Sequence, residues 1–274
     1  MLSAEMKLVL AGIIAQDIGK GDVTSALVSP KKCSAAISAN QGCMVAGIEE
    51  ACFLFESKGV KAKPLAKDGS IVKEGRKVIS LEGENRKILL VERTALNILG
   101  RMSAVASACA EAKRIAAGNT TVALTRKTIP GFNLFDKKAA VIAGVWPHRT
   151  NLGSFVLLKD NHLIFFNSPS DAVLAARKKY GRKMEIEVEA ESLQEALSAA
   201  KAKPSIIMLD NFSPVEARDG MQKLRRVFKG KIELSGGIGL HNLALFAAAK
   251  PDIISMGCLT HSVASCNFGL QIRK

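Results

Sequence analysis

The chain has 274 residues, enough for one large barrel or two domains. Hydrophobic residues make up 48%, a share that allows a sizeable core, and no apolar run reaches the roughly eighteen residues of a membrane helix. The net charge of +14, from 39 basic and 25 acidic residues, admits an anionic partner. Aromatic residues are only 5%, however, and the basic residues are spread along the chain without an RNA-recognition, zinc-finger or helix-turn-helix signature, which argues against nucleic acid.

Residues 2–16 read as a helix, apolar at Leu2, Met6, Leu8, Val9, Leu10 and Ile13. This opening segment is short and amphipathic, unlike a secretory signal, so a cytoplasmic protein is expected. Residues 17–22 form a loop by their glycines and aspartates, and Asp22-Val23-Thr24 caps a short helix. Residues 33–39 alternate like a strand and 48–57 look helical. Between 69 and 83, turn signals separated by β-branched residues predict short strands. A long helix then runs from about 88 to 117, its middle lined with small residues that permit close packing. Arg93 lies in it beside Glu92, and on pattern alone reads as half of a surface ion pair.

After Gly118 the pattern changes to alternating strands and helices. Strands are expected near 121–125, 155–159, 184–189, 205–209, 231–235 and 252–256, with a seventh near 141–145. Helices are expected near 134–143, 169–179, 192–201, 213–228 and 240–249. Such alternation argues for parallel βα units and a barrel, complete or not. The six cysteines (Cys33, Cys43, Cys52, Cys109, Cys258 and Cys266) show no CxxC pair, and the four histidines are scattered. They read as buried free thiols rather than disulfides or a zinc site.

Every strand of the second half ends in a polar or glycine element. These are Thr125-Arg126-Lys127, Lys159-Asp160-Asn161-His162, Glu187 with Glu189 on one face, Asp210-Asn211, Ser235-Gly236-Gly237 and Gly257-Cys258. Ligands of α/β sheets and barrels bind beyond the C-terminal ends of the strands. Arg126, Lys127, His148, Arg149 and Lys159 together imply a ligand carrying several negative charges. The two glycine turns precede helices and suit a phosphate, although each also reads as an ordinary βα turn. Glu187, Glu189 and Asp210 suit a divalent ion or sugar hydroxyls, and equally an ion pair with Lys127 or Lys159. His261 reads as a phosphate contact, with helix capping by Thr260 as the rival. His162 reads as an orienter of the Lys159 loop or a satisfied buried histidine, and His241 as structural or exposed.

Taken in order, these motifs resemble the quinolinate phosphoribosyltransferase family. The match runs through Gly21-Asp22-Val23-Thr24, Glu92-Arg93-Thr94-Ala95-Leu96-Asn97, Thr125-Arg126-Lys127-Thr128-Ile129-Pro130-Gly131, Pro147-His148-Arg149 and Lys159-Asp160-Asn161-His162. It continues through Glu187-Val188-Glu189, Met208-Leu209-Asp210-Asn211, Ser235-Gly236-Gly237 and Gly257-Cys258-Leu259-Thr260-His261-Ser262. The resemblance implies an α/β protein: an N-terminal α/β sandwich over residues 1–104, which the tail from about 264 to 274 rejoins, and a C-terminal open α/β barrel over 105–274. It implies conversion of quinolinate and phosphoribosyl pyrophosphate to nicotinate mononucleotide, pyrophosphate and CO₂ with Mg²⁺, in NAD biosynthesis. Residues matching Arg126, His148, Arg149 and Lys159 hold quinolinate. Those matching Lys127, Glu189, Asp210, Ser235, Gly236, Gly237, Gly257 and His261 hold the phosphoribosyl part and its metal, and Thr125, Cys258 and Leu259 of the same motifs are also expected to bind substrate. Lys127, Glu189 and Asp210 are the expected catalytic groups, and Glu189 and Asp210 the expected metal ligands, directly or through water. Arg93 is implied to reach the active site of a neighbouring subunit in a dimer or hexamer, which replaces the surface-pair reading.

The chain departs from the family at Ala143-Gly144-Val145-Trp146-Pro147, where a glycine-rich run is usual, and at Asn151 and Ser154. A sister family associated with molybdate transport shares much of the pattern but differs at the Lys159–His162 element, which is intact here. A nicotinate-type transferase without decarboxylation is the remaining enzymatic alternative, and a basic nucleic-acid-binding protein the non-enzymatic one.

Overall fold

The structure, a computed structural model, describes residues 2–118 and 120–273. Its first elements are α1 (Ala4–Ile18), β1 (Lys32–Ala39), β2 (Cys43–Met44), α2 (Ile48–Ser57), β3 (Lys61–Pro64), β4 (Ile71–Val72), β5 (Lys77–Glu84) and α3 (Asn85–Ala116). There follow β6 (Thr121–Ala123), α4 (Asn133–Ile142), β7 (Val156–Leu158), α5 (Asp160–Leu163), α6 (Pro169–Tyr180), β8 (Ile186–Ala190) and α7 (Leu193–Lys201). The last are β9 (Ile206–Asp210), α8 (Pro214–Val227), β10 (Lys231–Ser235), α9 (Leu243–Ala247), β11 (Ile253–Ser255), α10 (Cys258–His261) and β12 (Phe268–Arg273). Two compact units divide the described chain: one holds residues up to 110, 129–144 and those from 262 on, the other 111–128 and 145–261. The sequence boundary at 104/105 falls inside α3. Among the described residues no helix is long and apolar enough to cross a membrane.

The first unit is an antiparallel sheet with helices. Its strand order is β12-β1-β5-β3, with β2 and β4 pairing separately. The chain's C-terminal residues return to this sheet, Phe268 opposite Ala39 and Arg273 opposite Ser34. Helix α1 starts where the Ser3 hydroxyl accepts the Met6 N–H at 3.1 Å, and it buries Met6, Leu10 and Ile14, spaced four apart on one face. Asp22 accepts the Thr24 and Ser25 N–H groups at 3.0 and 2.9 Å, so the expected cap begins a single 3₁₀ turn, Ser25–Leu27. The small residues of α3 work as read. Ser103 Oγ accepts the Ala46 N–H at 3.0 Å and returns a bond to its carbonyl at 3.2 Å, and a Cβ on Gly100 would stand 2.7 Å from the Cys266 carbonyl. Helix α4 is anchored here by a bidentate Arg101–Asp136 pair at 2.9 and 2.8 Å and by Lys138 to Glu49 and Glu50.

The second unit carries six parallel strands in the order β6-β11-β10-β9-β8-β7, with helices in the connections. Edge strands β6 and β7 are not paired with each other, so this sheet is an unclosed α/β barrel. The expected seventh strand reduces to one residue: Trp146 bridges Ala123 in parallel, donating to the Val122 carbonyl at 3.0 Å. Residues 141–142 belong instead to α4, because a short apolar run reads equally as a strand or as a buried helix end. Helices α6, α7 and α8 begin at Ser168, Ser192 and Ser213, whose hydroxyls each accept an N–H of the first turn, and proline opens α6 and α8. The 240–249 helix shortens to α9, leaving His241 exposed ahead of it. All six cysteines are free thiols, four of them buried.

Candidate active site

The polar strand ends predicted from sequence gather on the C-terminal side of the second unit's sheet. Beyond β6, the Lys127 N–H is held by Thr125 Oγ1 at 3.1 Å and its carbonyl accepts from the Thr260 hydroxyl at 2.7 Å. Thr260 is therefore a tie between two loops. This keeps the Lys127 stem close to Gly257, where a Cβ would stand 3.1 Å from Lys127 Cδ and 3.0 Å from His261 Nε2. Lys127, Gly257 and His261 thus share one corner, with the Lys127 and His261 side chains exposed for a ligand.

Beyond β9 and β10 two backbones touch. Gly236 has φ +87, and a Cβ there would lie 2.3 Å from Asn211 Oδ1 and 2.5 Å from its amide nitrogen. Asn211 itself sits at φ +59, its N–H bonded to the Ser235 carbonyl at 3.0 Å. Gly237, at φ +62, faces open space. Only glycine fits the first position, and the second leaves room for a group to approach the main chain. Cys258 Sγ lies 3.4 Å from the Ile238 carbonyl, which joins the β11 turn to the same cradle, while Leu259 packs into the core.

The carboxylates stand beside these turns. Lys159 Nζ, half exposed, donates to the buried Glu189 Oε2 at 2.6 Å. Burial pushes the Glu189 carboxyl up, the Lys159 ammonium opposes that, and the nearby Asp210 charge adds to it. Asp210 Oδ2 accepts from Asn211 Nδ2 at 2.7 Å. Among the described residues Glu189 Oε1 and Asp210 Oδ1 make no hydrogen bond. Two hard oxygens left at adjacent strand ends fit an ion such as Mg²⁺, which takes one or two carboxylates and keeps waters. His162 Nδ1 accepts the Lys159 N–H at 3.0 Å and so fixes the start of the lysine's loop, one of the two roles read for it.

Arg126 and Arg149 line a cavity with Lys159, Phe155 and Tyr180. Arg149 is almost fully buried, and burial, then the Arg126 charge, lowers its pKa, with Glu187 and Glu189 opposing. His148 is 8% exposed at φ +55, its ring 4.7 Å from Trp146 and 5.2 Å from Phe155. Its Nε2 is 3.1 Å from Glu187 and 3.6 Å from Glu233, both fully buried. Nε2 makes no well-formed hydrogen bond to either, Glu233 being too distant for one, so the attraction is ionic. Burial alone would lower the His148 pKa, but the two acids outweigh it and raise it from 6.5 to about 9. Burial and then the Glu233 charge push Glu187 up, with His148 opposing.

Arg93 stands exposed on α3 in the first unit and, among the described residues, makes no close ion pair, although its charge counters the burial that raises the Glu92 pKa. Glu233, Ser255 and the Trp146–Phe155 cage were missed from sequence. Glu233 carried the same signal as Glu187, an acid inside the apolar run Ile232-Glu233-Leu234. At the unusual loop positions, Asn151 Oδ1 accepts the Gly153 N–H at 2.9 Å and Ser154 Oγ accepts the Thr150 N–H at 3.2 Å, so residues 150–154 close their own turn.

The family profile for the quinolinate phosphoribosyl transferase C-terminal domain matches residues 104–271, and that for the N-terminal domain matches residues 22–103. A relative in Methanocaldococcus jannaschii, a probable carboxylating nicotinate-nucleotide pyrophosphorylase, is 37% identical over 93% of this chain and 93% of its own. The rat carboxylating nicotinate-nucleotide pyrophosphorylase is 40% identical over 80% of this chain and 75% of its own. The solved nicotinate-nucleotide pyrophosphorylase of Francisella tularensis superposes with a TM-score of 0.94 at 28% identity, covering 100% of this chain and 98% of that one.

Proposed function

The chain belongs to the quinolinate phosphoribosyl transferase family, and from that premise we propose that it is a decarboxylating phosphoribosyltransferase. It joins quinolinate to phosphoribosyl pyrophosphate and releases nicotinate mononucleotide, pyrophosphate and CO₂, in the cytoplasm. The observation that carries the reading is the division of one strand-end surface into two halves. Cations (the buried Arg149 and His148, with the exposed Arg126 and the half-exposed Lys159) gather on one side, and an open glycine cradle with two acids lies on the other.

A dicarboxylate suits the first half. Arg126, Arg149, Lys159 and His148 hold it and fix the pyridine nitrogen at attack distance from the sugar. Lys127, His261 and the main chain of Ser235, Gly236, Gly237 and Gly257 hold the phosphate-bearing sugar, with Thr125, Cys258 and Leu259 shaping the turns. The nitrogen lone pair forms the new bond to the anomeric carbon as the carbon–oxygen bond to pyrophosphate breaks. Positive charge that develops on the ribose is met by Glu189 and Asp210. The bond from the ring to the adjacent carboxylate then breaks as CO₂ leaves. Its electron pair stays on the ring carbon beside the now positive nitrogen until a proton replaces it. Glu189 and Asp210 would hold Mg²⁺, directly or through water, and the ion supplies charge neutralisation for the pyrophosphate. Arg93 serves the site of a neighbouring subunit in a homodimer or hexamer.

Purified protein with Mg²⁺ and phosphoribosyl pyrophosphate tests this against the nicotinate-type alternative. Mononucleotide should form from quinolinate and not from nicotinate, and Lys127→Ala should abolish turnover while leaving the thermal melting curve in place. Equal or faster use of nicotinate would favour the alternative. Nucleic-acid binding that falls steeply with salt and survives Lys127→Ala would favour the non-enzymatic reading.

A further inference from the structure

Glu187 and Glu233 have no part in the chemistry above, yet both are fully buried beneath the cation half of the site. They stand on β8 and β10, the two neighbours of β9, and converge on one atom, His148 Nε2, at 3.1 and 3.6 Å. Behind Glu233 the Ser255 hydroxyl donates to Oε1, so a relay of contacts runs Ser255–Glu233–His148. The imidazole also packs against Trp146 and Phe155, at interplanar angles of 53° and 61°, and its backbone takes a left-handed φ of +55 that is uncommon for a non-glycine residue.

Attraction for the ligand does not by itself explain the arrangement. Two buried carboxylates below a pocket repel the anion that pocket is built to hold, and each costs free energy to bury unless paired. What they supply is direction. With Nε2 drawn toward two buried carboxylates, turning that nitrogen to the ligand would leave both acids unpaired. We propose that Glu187 and Glu233 are positioning residues that lock the His148 ring by its Nε2 edge, so that a defined face and edge of the imidazole meets a carboxylate of the pyridine substrate. The assignment deepens the proposed function and rests on it for the identity of the ligand.

The test uses Glu187→Gln and Glu233→Gln, which keep the shape and remove the charge, and Ser255→Ala, which loosens Glu233 without removing it. In the Gln variants KM for quinolinate should rise about tenfold or more, and KM for phosphoribosyl pyrophosphate should stay within about twofold, as for loss of an outer partner of a ligand-holding histidine. Ser255→Ala should move the same constant in the same direction, and less. Imidazole NMR signals give a readout that needs no turnover. The chain has four histidines, and His148→Ala identifies the one concerned. That signal should shift in Glu233→Gln and Ser255→Ala while the other three hold still. Both KM values moving together, neither moving, or an unchanged His148 signal would overturn the proposal. So would a stoichiometric transition metal in the purified protein whose removal by chelator frees Nε2, because the three donor groups lie within 4.8 Å of one another. A wild type that does not use quinolinate would refute the proposed function instead, and the NMR arm would still decide whether the acids hold the ring.

Discussion

At the scale of single residues, the site keeps its charges in pairs of unequal exposure. Lys159 is half open to solvent while its partner Glu189 is nearly closed off, so the lysine can exchange a protein carboxylate for a ligand carboxylate without leaving the pocket. His148 is different, because both its acids are sealed in. Its raised pKa means that the folded protein keeps a proton that the unfolded chain releases between pH 6.5 and about 9. This contribution to stability is fully present below pH 6.5 and is lost as pH rises through about 9. Glu187, also raised, adds a contribution of the same sign over a lower window. Urea midpoints measured across pH 6.5 to 9 should fall more steeply for the wild type than for His148→Gln. Parallel curves would show that the acids do not hold that proton.

At the scale of elements, the strand-end turns decide what can bind. Gly236 and Gly237 look interchangeable in sequence, but only the first lies against another backbone. Gly236→Ala must push the Asn211 segment away, whereas Gly237→Ala meets only the strain of φ +62, about 1–2 kcal/mol. The first substitution should therefore lower thermal stability and raise KM for phosphoribosyl pyrophosphate more than the second, and the reverse order would contradict the cradle. The sequence made the strand-and-turn pattern of this unit legible because each strand is an apolar run punctuated by glycine or charge. It placed a strand near 141–145 where only the single bridge at Trp146 forms, because alanine, valine and isoleucine continue a helix as readily as they start a strand. Nor did it show Glu233 beside His148, since that contact joins residues 85 positions apart through the sheet order alone.

At the scale of the whole molecule, each unit has its own sheet and core, and the chain passes between them more than once. The alternation of strands and helices after Gly118 announced the parallel sheet. The return of Phe268–Arg273 to β1 depends on pairing across most of the chain, which local pattern does not encode. The family motifs supplied the residue roles, and the second unit places all of them except Arg93 at one sheet edge. The role proposed for Arg93 requires an assembly. The central claim, that this edge joins a pyridine dicarboxylate to a sugar phosphate and removes one carboxylate, is tested most directly with quinolinate labelled in the carboxylate adjacent to the ring nitrogen. The label should leave as CO₂ in step with mononucleotide formation, and only when phosphoribosyl pyrophosphate is present. Mononucleotide that retains the label, or no turnover at all by the intact protein with Mg²⁺, would contradict it.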